Sequence, residues 1–388
     1  MDIEKQLELI KRGAAEIISE EELRRKLLKS QRDKKPLSVK AGFDPTAPDI
    51  HLGHVVLLRK LRLLQDLGHR VIFLIGDFTA RIGDPSGRSE KRKQLSPEEA
   101  AENAATYKKQ VSKVLVPEKL NIAFNSAWFG KMPVEDVLKL TTHATVSQMM
   151  ARADFKKRLS RKEDISLLEF MYPLLQGYDS VVLEADIELG GTDQIFNLLV
   201  GRDMQKDFGR EQQVVITMPL LEGTDGAQKM SKSSHNYIGV NEPAQDIFGK
   251  LMSISDELML KYYELLTDED LGAVKKMHPR DAKLKLAGLL AAQFHSAAAA
   301  KKSEEEFKRV FAGKGTPDDA PEYRTDREKT VFQVLIESAQ AKSGNEARRL
   351  LKGGAVSFNG AKVTEDNFIL REPGILKIGA RRFLRIII

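Results

Sequence analysis

Two histidines three residues apart, His51 and His54, are the first side chains in this sequence whose types and spacing could do chemistry. They lie at the start of a predicted helix, where residues three apart share one face. A helix N-terminus offers free N–H donors and a partial positive charge, so the pattern favours a phosphate site, with Gly53 leaving room for a planar ligand. Two interpretations remain open beside it: a metal site, for which no third ligand is evident, and two surface histidines without a function.

A second pattern is the loop Lys229-Met230-Ser231-Lys232-Ser233. Two lysines three apart, with hydroxyl groups between them, form a mobile cationic clamp suited to a triphosphate. A solvent-exposed lysine loop without a function is the common alternative. The histidine pair and this loop each follow a predicted strand, and that combination favours a nucleotide site.

The histidine pair is positioned by a predicted strand, turn, helix and second strand. Residues 37–43 predict a buried strand, and the two prolines of 44–49 predict a turn. Apolar residues at helical spacing predict a helix from Ile50 to Gly68, and the β-branched run 71–75 predicts another buried strand. Such a βαβ unit implies a parallel sheet.

The rest of the first three quarters is predicted to be mostly helical. Helical patterns cover 1–29, 97–114, 134–158, 167–178 and 242–311. Between them, 189–194 predicts a glycine-bearing loop and 214–218 a third strand. The Gly, Pro and Asp content of 312–326 predicts a linker.

The C-terminal segment carries the net charge of the chain. From Arg327 to Ile388 there are twelve Lys or Arg and six Asp or Glu, a balance of +6 that equals that of the whole sequence. A neutral body with a basic tail favours a polyanionic partner, nucleic acid first, although a domain that merely aids solubility remains an alternative. Ser343 predicts the start of a short helix, Asn359-Gly360 a type I′ hairpin turn, and 375–378 and 383–388 two further strands.

Composition excludes several classes of protein. With 388 residues, 41% hydrophobic and 30% charged, the chain is globular rather than disordered or collagen-like, and long enough for two or three domains. The absence of cysteine excludes disulfides, thiolate catalysis and Cys-ligated zinc or iron–sulfur centres. No apolar signal-peptide core and no run near ~20 apolar residues occurs, which predicts a soluble, cytoplasmic protein with no membrane partner.

Five ordered motifs carry a resemblance that covers essentially the whole chain. Asp44-Pro45-Thr46 with 51–54, and the loop 229–233, resemble the two signature motifs of class I aminoacyl-tRNA synthetases. Residues 83–87, Tyr172 with Gln176 and Asp179, and 191–194 resemble the bacterial tyrosyl-tRNA synthetases in particular. The resemblance implies an α/β fold with a doubly wound parallel-sheet (Rossmann-like) catalytic domain at 1–240, containing a helical insertion at about 125–165. It further implies a helical anticodon-stem-binding domain at 241–315, a linker at 316–326 and a small α+β S4-like RNA-binding domain at 327–388.

The same resemblance implies an activity and its partners. The family joins L-tyrosine to ATP, releases pyrophosphate, and transfers the tyrosyl group to the 3′-terminal adenosine of tRNA(Tyr). ATP is a substrate that brings Mg²⁺ with it, and no metal is held by the protein itself. The family is a homodimer, and we expect the interface around Trp128 to Met150.

Site residues carry over position by position. Catalytic roles fall on Thr46, His51, His54, Lys229, Lys232 and Ser233. ATP binding falls on Gly42, Asp44, Gly53, His54, Gly191, Asp193 and Lys232. Tyrosine binding falls on Asp84, Tyr172, Gln176, Asp179 and Gln194, with Asp179 accepting a hydrogen bond from the phenol. Candidates for tRNA phosphate contacts are Arg348, Arg349, Lys352, Lys362 and Arg381.

Two departures and three rival functions accompany this interpretation. Lys40 stands where many relatives carry a tyrosine that touches the phenol, and the loop 76–79 also differs from the glycine-rich form of one subgroup.

A tryptophan enzyme is disfavoured by Asp179 and by the basic tail. An RNA-binding paralogue without activation is disfavoured by the intact histidine pair and lysine loop. A nucleotidyltransferase acting on a small cofactor would leave the C-terminal domains unexplained.

Overall fold

The structure, a computed structural model, describes residues 1–46, 48–86, 96–312, 320–325, 328–341, 343–379 and 382–388. The chain divides into two units, Met1–Ala300 and Lys301–Ile388. The first is built on a six-stranded sheet and the second on smaller sheets with two helices.

Five parallel strands and one antiparallel edge strand form the sheet of the first unit. From β2 the chain moves outward through β3 to β4, and later, on the other side of β2, from β5 to β6. Because crossovers between parallel strands are right-handed, this reversal places helices on both faces, which is the doubly wound arrangement that was expected. In chain order the strands are β1 (Glu16–Ile18), β2 (Ser38–Phe43), β3 (Arg70–Ile75), β4 (Asn121–Phe124), β5 (Ile187–Gly191) and β6 (Val214–Met218), and in spatial order β1-β6-β5-β2-β3-β4.

The buried strands follow from their apolar sequences, and the exceptions are informative. β2, β3 and β6 lie where the sequence predicted them. β1 interrupts the single opening helix that was predicted over 1–29, and β4 was not predicted. The predicted loop 189–194 is wrong in its first half, because β5 continues to Gly191 before a 3₁₀ turn at Thr192–Gln194.

Eleven helices accompany this sheet within the described residues up to 207. The helix predicted from Ile50 is α3, and the long helix predicted over 134–158 is wrong, since three short helices restart there, one of them capped by Thr145. The eleven are α1 (Ile3–Lys11), α2 (Glu20–Asp33), α3 (Leu52–Asp66), α4 (Thr79–Ile82), α5 (Pro97–Val111), α6 (Ser126–Phe129), α7 (Val134–Leu140), α8 (Val146–Met150), α9 (Ala153–Ser160), α10 (Leu167–Val182) and α11 (Ile195–Asp207).

Helices also dominate the chain between residues 244 and 312. They are α12 (Ala244–Met252), α13 (Asp256–Leu266), α14 (Leu271–Val274), α15 (Pro279–Phe294) and α16 (Ala297–Ala312), and α16 contains the division between the two units. Tyr262 and Tyr263 are fully buried against their neighbours. Among the residues that the structure describes, no helix is long and apolar enough to cross a membrane.

The second unit contains a five-stranded sheet of order β10-β9-β12-β13-β7 and a two-stranded sheet of β11 and β8. The predicted hairpin turn is confirmed by the positive φ of Asn359 (47°) and Gly360 (85°), and Ser343 caps its helix as predicted. Part of the predicted linker is not a linker, because β7 pairs with β13. The elements are β7 (Glu322–Arg324), β8 (Lys329–Thr330), α17 (Val331–Glu337), α18 (Gly344–Lys352), β9 (Val356–Phe358), β10 (Ala361–Lys362), β11 (Ile369–Leu370), β12 (Gly374–Ile378) and β13 (Arg382–Ile387).

Candidate active site

The carboxyl ends of β2 and β5 lie side by side where the strand order reverses, and both lead into residues that the sequence singles out. Gly42 and Asp44 lie at the end of β2, and Gly191 and Asp193 at the end of β5. Gly42 is exposed although its strand neighbours are buried. Since ligands of doubly wound folds bind in this crevice, four of the predicted ATP-site residues occupy the expected place.

The two histidines form the N-terminus of α3. His51 is the N-cap residue, and its Nδ1 accepts a hydrogen bond from the Gly53 N–H at 3.2 Å. In turn, the His54 Nδ1 accepts from the His51 N–H at 3.2 Å. Because both Nδ1 atoms accept, a neutral ring carries its proton on Nε2, so each histidine presents one Nε2–H donor. The pair is therefore a matched set of hydrogen-bond donors at a helix N-terminus.

Burial and nearby lysines keep this histidine pair neutral. Desolvation, with the charges of Lys229 and Lys232 adding to it, lowers the pKa of His54 to about 4. Burial and the neighbouring His54 hold the pKa of His51 far below its usual value. At neutral pH, positive charge at this place comes from the lysine loop and the helix end, not from the imidazoles.

Gly53 is required by the His51 ring. A Cβ at this position would lie 3.0 Å from the His51 Cε1 and Nδ1 atoms, because the ring folds back over the first turn to cap it. The sequence suggested that Gly53 makes room for a ligand. The structure adds that it makes room for the capping histidine.

The lysine loop lies over the same crevice. Lys229 Nζ is 2.5 Å from Asp193 Oδ2, and Lys232 Nζ is 3.0 Å from Asp49 Oδ2. Met230, only 1% exposed, anchors the loop, whereas Ser233 is exposed. Both ammonium groups are thus paired with carboxylates at the edge of the crevice, and an arriving polyphosphate would compete for them.

Asn236 fixes the shape of this loop. Its side chain is 3% exposed, accepts from the Ser231 N–H at 2.9 Å and donates to Asp225 Oδ2 at 2.8 Å. Its Nδ2 also lies 3.3 Å from the Gln228 and Lys229 carbonyl oxygens. Sequence analysis did not identify this residue.

Asp44 is held between two hydroxyl donors. Its carboxylate accepts from Thr79 Oγ1 at 2.8 Å and from the Tyr172 hydroxyl at 2.9 Å. Gly76 permits this packing, since a Cβ there would lie 2.1 Å from Asp44 Oδ1. Thr46 is exposed two residues further on, and its N–H donates to the Asp44 carbonyl oxygen. Tyr172, assigned to tyrosine binding, therefore also orients a residue assigned to ATP.

Asp84, Gln176 and Gln194 are joined by hydrogen bonds. Gln194 Nε2 donates to Asp84 Oδ2 at 2.7 Å, and the Ser86 N–H donates to Asp84 Oδ1 at 2.9 Å. Asn197 Nδ2 reaches Gln176 Oε1 at 3.1 Å and Gln194 Oε1 at 3.0 Å. Asp84, Gln176 and Gln194, which were predicted to bind tyrosine, thus form one cluster with Asn197. Position 87, which ends the motif 83–87, lies outside the described residues.

Asp179 is a buried carboxyl with two donors. It is 2% exposed, and accepts from Trp128 Nε1 at 2.9 Å and from Asn125 Nδ2 at 3.4 Å. Burial raises its pKa to about 7, against the opposing effects of the Lys40 charge and of both hydrogen bonds. The sequence placed Trp128 in a dimer interface segment and did not identify Asn125. Neither could have been paired with Asp179 from local sequence, because both lie about fifty residues away along the chain.

Lys40 lies beneath α10 and forms a buried ion pair. It is fully buried, with its Nζ 2.9 Å from Glu188 Oε1, 2.7 Å from Ser180 Oγ and 3.2 Å from the Gln176 carbonyl oxygen. Lys40 and Glu188 are register partners on the adjacent strands β2 and β5. Lys40, the residue that departs from the pattern of many relatives, therefore has its charge balanced by the carboxylate opposite it.

In the second unit, the predicted tRNA contacts lie at the surface. Arg348, Arg349 and Lys352 are exposed on the single short helix α18, and Lys362 is exposed on the hairpin strand β10. Arg348 also bonds to Asp366 at 3.1 Å and lies over the Phe332 ring. Arg381 lies outside the described residues.

Together, the first unit offers neutral imidazole donors, a helix N-terminus and two lysines beside a polar cluster that ends in a buried carboxyl. Such an arrangement can hold a nucleotide triphosphate next to a small zwitterion that has a hydrogen-bonding tail. The chemistry that this arrangement supports is the positioning of the two ligands and the stabilisation of charge on the phosphates.

Comparisons with known proteins agree with this geometry. Residues 31–312 match the family described as tRNA synthetases class I (W and Y). Residues 313–377 match the family described as the tyrosine–tRNA ligase SYY-like C-terminal domain.

Relatives extend the match over the full length. The tyrosine–tRNA ligases of Carboxydothermus hydrogenoformans and Geobacter sulfurreducens are each 52% identical over all of this chain, covering 98% and 99% of the relative. Among solved structures, a tyrosyl-tRNA synthetase from Archaeoglobus fulgidus, complexed with L-tyrosine, is 28% identical, with a TM-score of 0.64 over 78% of this chain and 100% of that one. The resemblance in the motifs is confirmed, and the chain belongs to the tyrosine–tRNA ligase family of class I aminoacyl-tRNA synthetases.

Proposed function

We propose that this chain attaches L-tyrosine to tRNA(Tyr) in two steps, through a tyrosyl-adenylate with release of pyrophosphate and transfer to the 3′-terminal adenosine. The observation that carries the proposal is the buried Asp179 carboxyl, with Trp128 and Asn125 as its donors, in the same cleft as the histidine pair and the lysine loop. A phenol is a ligand that such a carboxyl can recognise.

Activation requires no covalent catalyst. The tyrosine carboxylate would attack the α-phosphorus of ATP in line, while the Nε2–H groups of His51 and His54 and the N-terminus of α3 donate to the phosphate oxygens. Lys229 and Lys232 would leave Asp193 and Asp49 for the β- and γ-phosphates as negative charge passes to pyrophosphate. Mg²⁺ enters with ATP, as part of the substrate.

Tyrosine recognition is divided between the two ends of the amino acid. Asp84, Tyr172, Gln176 and Gln194 would receive the α-ammonium, and Asp179 would accept the phenol hydrogen bond. Phenylalanine would cover the buried Asp179 carboxyl without donating to it, so the carboxyl would keep only Trp128 and Asn125 as donors and would lose the hydrogen bond that the phenol supplies. This loss is the basis of the proposed selectivity.

The RNA partner is assigned to the basic C-terminal unit. The exposed side chains of Arg348, Arg349, Lys352 and Lys362 support phosphate contacts, with Arg381 as a further candidate from the sequence. We assign the helices of 241–315 to the anticodon stem and residues 327–388 to an S4-like fold.

A homodimer in the bacterial cytoplasm completes the proposal. The expected interface, 128–150, carries the exposed apolar side chains Val134, Leu138 and Val146, which are 76%, 62% and 73% exposed. Exposed apolar groups grouped in sequence are typical of a subunit interface. Sedimentation equilibrium of wild type and of Val134→Asp with Leu138→Asp tests the assignment, and unchanged mass would reject it.

The first test is exchange of labelled pyrophosphate into ATP with tyrosine, phenylalanine or tryptophan and no tRNA. Exchange with tyrosine alone supports the proposal. Exchange with tryptophan would assign the chain to the sister activity, and no exchange from folded protein would leave an RNA-binding paralogue. Lys232→Met should abolish tyrosine-dependent exchange, whereas Lys108→Met, on the α5 surface, serves as a matched control.

A further inference from the structure

Arg152 and Asn197 lie between elements of the candidate site, yet neither belongs to the roles described above. Arg152 is the N-cap residue of α9 and is 4% exposed, and Asn197 belongs to α11 and is fully buried. Arg152 Nη1 donates to Asn197 Oδ1 at 2.7 Å. A guanidinium can only donate, so this contact holds the oxygen of the Asn197 amide towards Arg152 and its NH₂ group away from it.

The NH₂ group of Asn197 then determines the direction of two glutamines. It donates to Oε1 of Gln176 at 3.1 Å and to Oε1 of Gln194 at 3.0 Å. On their other side, Gln194 Nε2 donates to Asp84 Oδ2 at 2.7 Å and Gln176 Nε2 contacts Glu188 Oε1 at 3.4 Å. Ionised carboxylates only accept. Both chains of hydrogen bonds, one through Gln176 and one through Gln194, therefore run in the same direction, from the Arg152 guanidinium through Asn197 to a carboxylate.

Arg152 is itself held rigidly and its charge is balanced. Asp154 binds it through Nε at 3.0 Å and Nη2 at 2.7 Å, and its guanidinium lies 4.9 Å from the ring centres of both Phe155 and Phe196. Nη2 also donates to Ser86 Oγ at 3.1 Å, next to the Asp84 turn. A guanidinium fixed in this way orients the Asn197 amide without leaving an uncompensated cation beside the pocket.

We propose that Arg152 and Asn197 are positioning residues for ammonium recognition, which keep the carboxamide oxygens of Gln176 and Gln194 in place to accept. An ammonium group only donates, so a glutamine turned by 180° would present N–H groups to it and repel it. The inference rests on the proposed function, because it assigns a device to the tyrosine end of that same site.

The test compares two ligands that differ only in the ammonium group, L-tyrosine and 3-(4-hydroxyphenyl)propanoate. The dissociation constant of the propanoate divided by that of L-tyrosine, both measured by calorimetry, reports what the ammonium contributes to binding. A smaller ratio means a smaller contribution. Asn197→Asp preserves side-chain volume and the oxygen facing Arg152, but replaces the donor to both glutamines with an acceptor. We expect the ratio to fall at least tenfold, with binding of the propanoate changed less than threefold. Equal weakening of both ligands would mean a merely structural role and would overturn the proposal.

Arg152→Lys provides a second variant, which retains the charge but not the planar fork, and its ratio should fall between wild type and Asn197→Asp. Arg158→Met is the matched control, because Arg158 is equally buried but pairs with Glu169 and not with the chain of amides. Its ratio should equal that of wild type, and a fall there would also overturn the proposal. Tyrosine-dependent pyrophosphate exchange by wild type is measured separately, so failure of the proposed activity is distinguishable from failure of this inference.

Discussion

Replacing Asp179 with asparagine should remove a pH-dependent cost of folding from the ligand-free protein and impair tyrosine binding. The Asp179 carboxyl is 2% exposed and burial raises its pKa to about 7, from an ordinary value of 3.8. The charged form is therefore disfavoured by folding, despite the donors Trp128 and Asn125. Asparagine has the same shape and no charge to desolvate.

The magnitude follows from the two pKa values. A difference of about three units corresponds to ~4 kcal/mol at 1.36 kcal/mol per unit. The folded state binds the Asp179 proton more tightly than the unfolded state does. Below pH ~4 the carboxyl is protonated in both states and does not lower the free energy of unfolding. As pH rises to ~7 the carboxyl lowers the free energy of unfolding by a growing amount, which is constant at higher pH. Relative to wild type, the free energy of unfolding of Asp179→Asn should therefore gain ~3 kcal/mol between pH 5 and pH 8.

Urea denaturation at pH 5, 6, 7 and 8 measures this difference. The only tryptophan of the chain, Trp128, lies beside Asp179, so its fluorescence follows unfolding of the first unit. Glu184→Gln is the matched control, since the Glu184 side chain is 64% exposed just beyond the end of α10. A constant difference between Asp179→Asn and wild type across these pH values would refute the burial argument. Tyrosine affinity of Asp179→Asn should fall at the same time, by ~1.5–3 kcal/mol for a lost charged hydrogen bond.

Three further predictions concern the surrounding residues. Gly53→Ala should slow tyrosyl-adenylate formation about tenfold or more with little change in tyrosine KM, because its Cβ would displace the His51 ring; single-turnover kinetics measure it, and an unchanged rate would contradict it. Lys40→Met and Glu188→Gln should each cost ~3–5 kcal/mol of unfolding free energy and the double variant less than their sum, since either single change leaves a buried charge unpaired; additive values in a double-mutant cycle would refute the coupling. Asn236→Ala should raise the KM for ATP in pyrophosphate exchange while leaving the KM for tyrosine unchanged, since it releases the lysine loop; equal changes in both would count against a loop-specific effect.

Sequence patterning predicted the parts of the fold that have strong local signals. β3 and β6 are rich in apolar and β-branched residues, β2 was recognised before its proline-bearing turn, and the start of α3 was visible in that turn and in its histidines. β1 and β4, three and four residues long, are too short to show a period. β5 was partly missed because it ends in two glycines, which are read as loop residues when the pairing with β2 and β6 is unknown.

The candidate site likewise contains residues that the sequence identifies and partners that it does not. Residues within motifs, such as His54 and Lys232, could be identified from type and spacing, whereas their partners come from distant segments. Trp128 and Asp179 are 51 residues apart, and Lys232 and Asp49 are 183 apart. Such pairings are a property of the folded sheet and have no local signature.

The Lys40–Glu188 pair lies between these cases, because a local signal for it did exist. A lysine within an otherwise buried strand requires a compensating carboxylate, and one glutamate stands in the equally buried β5. Once β2 and β5 are recognised as neighbours, their register places Lys40 opposite Glu188. The missing step was therefore the strand order and not the chemistry of either residue.

The charges of the site are arranged so that those nearest the bound phosphates are mobile. The histidines at the fixed N-terminus of α3 are neutral at pH 7, with the pKa of His54 at about 4, because both rings are buried and because Lys229 and Lys232 lie near. The cations reside on a loop that is anchored at Met230 and Asn236, and they are paired with exchangeable carboxylates. A rigid cation would attract ATP and pyrophosphate alike, whereas a loop whose lysines return to Asp193 and Asp49 can release the product. Burial of the two rings is therefore the main cause of their low pKa, and the positive charge on the movable loop lowers it further.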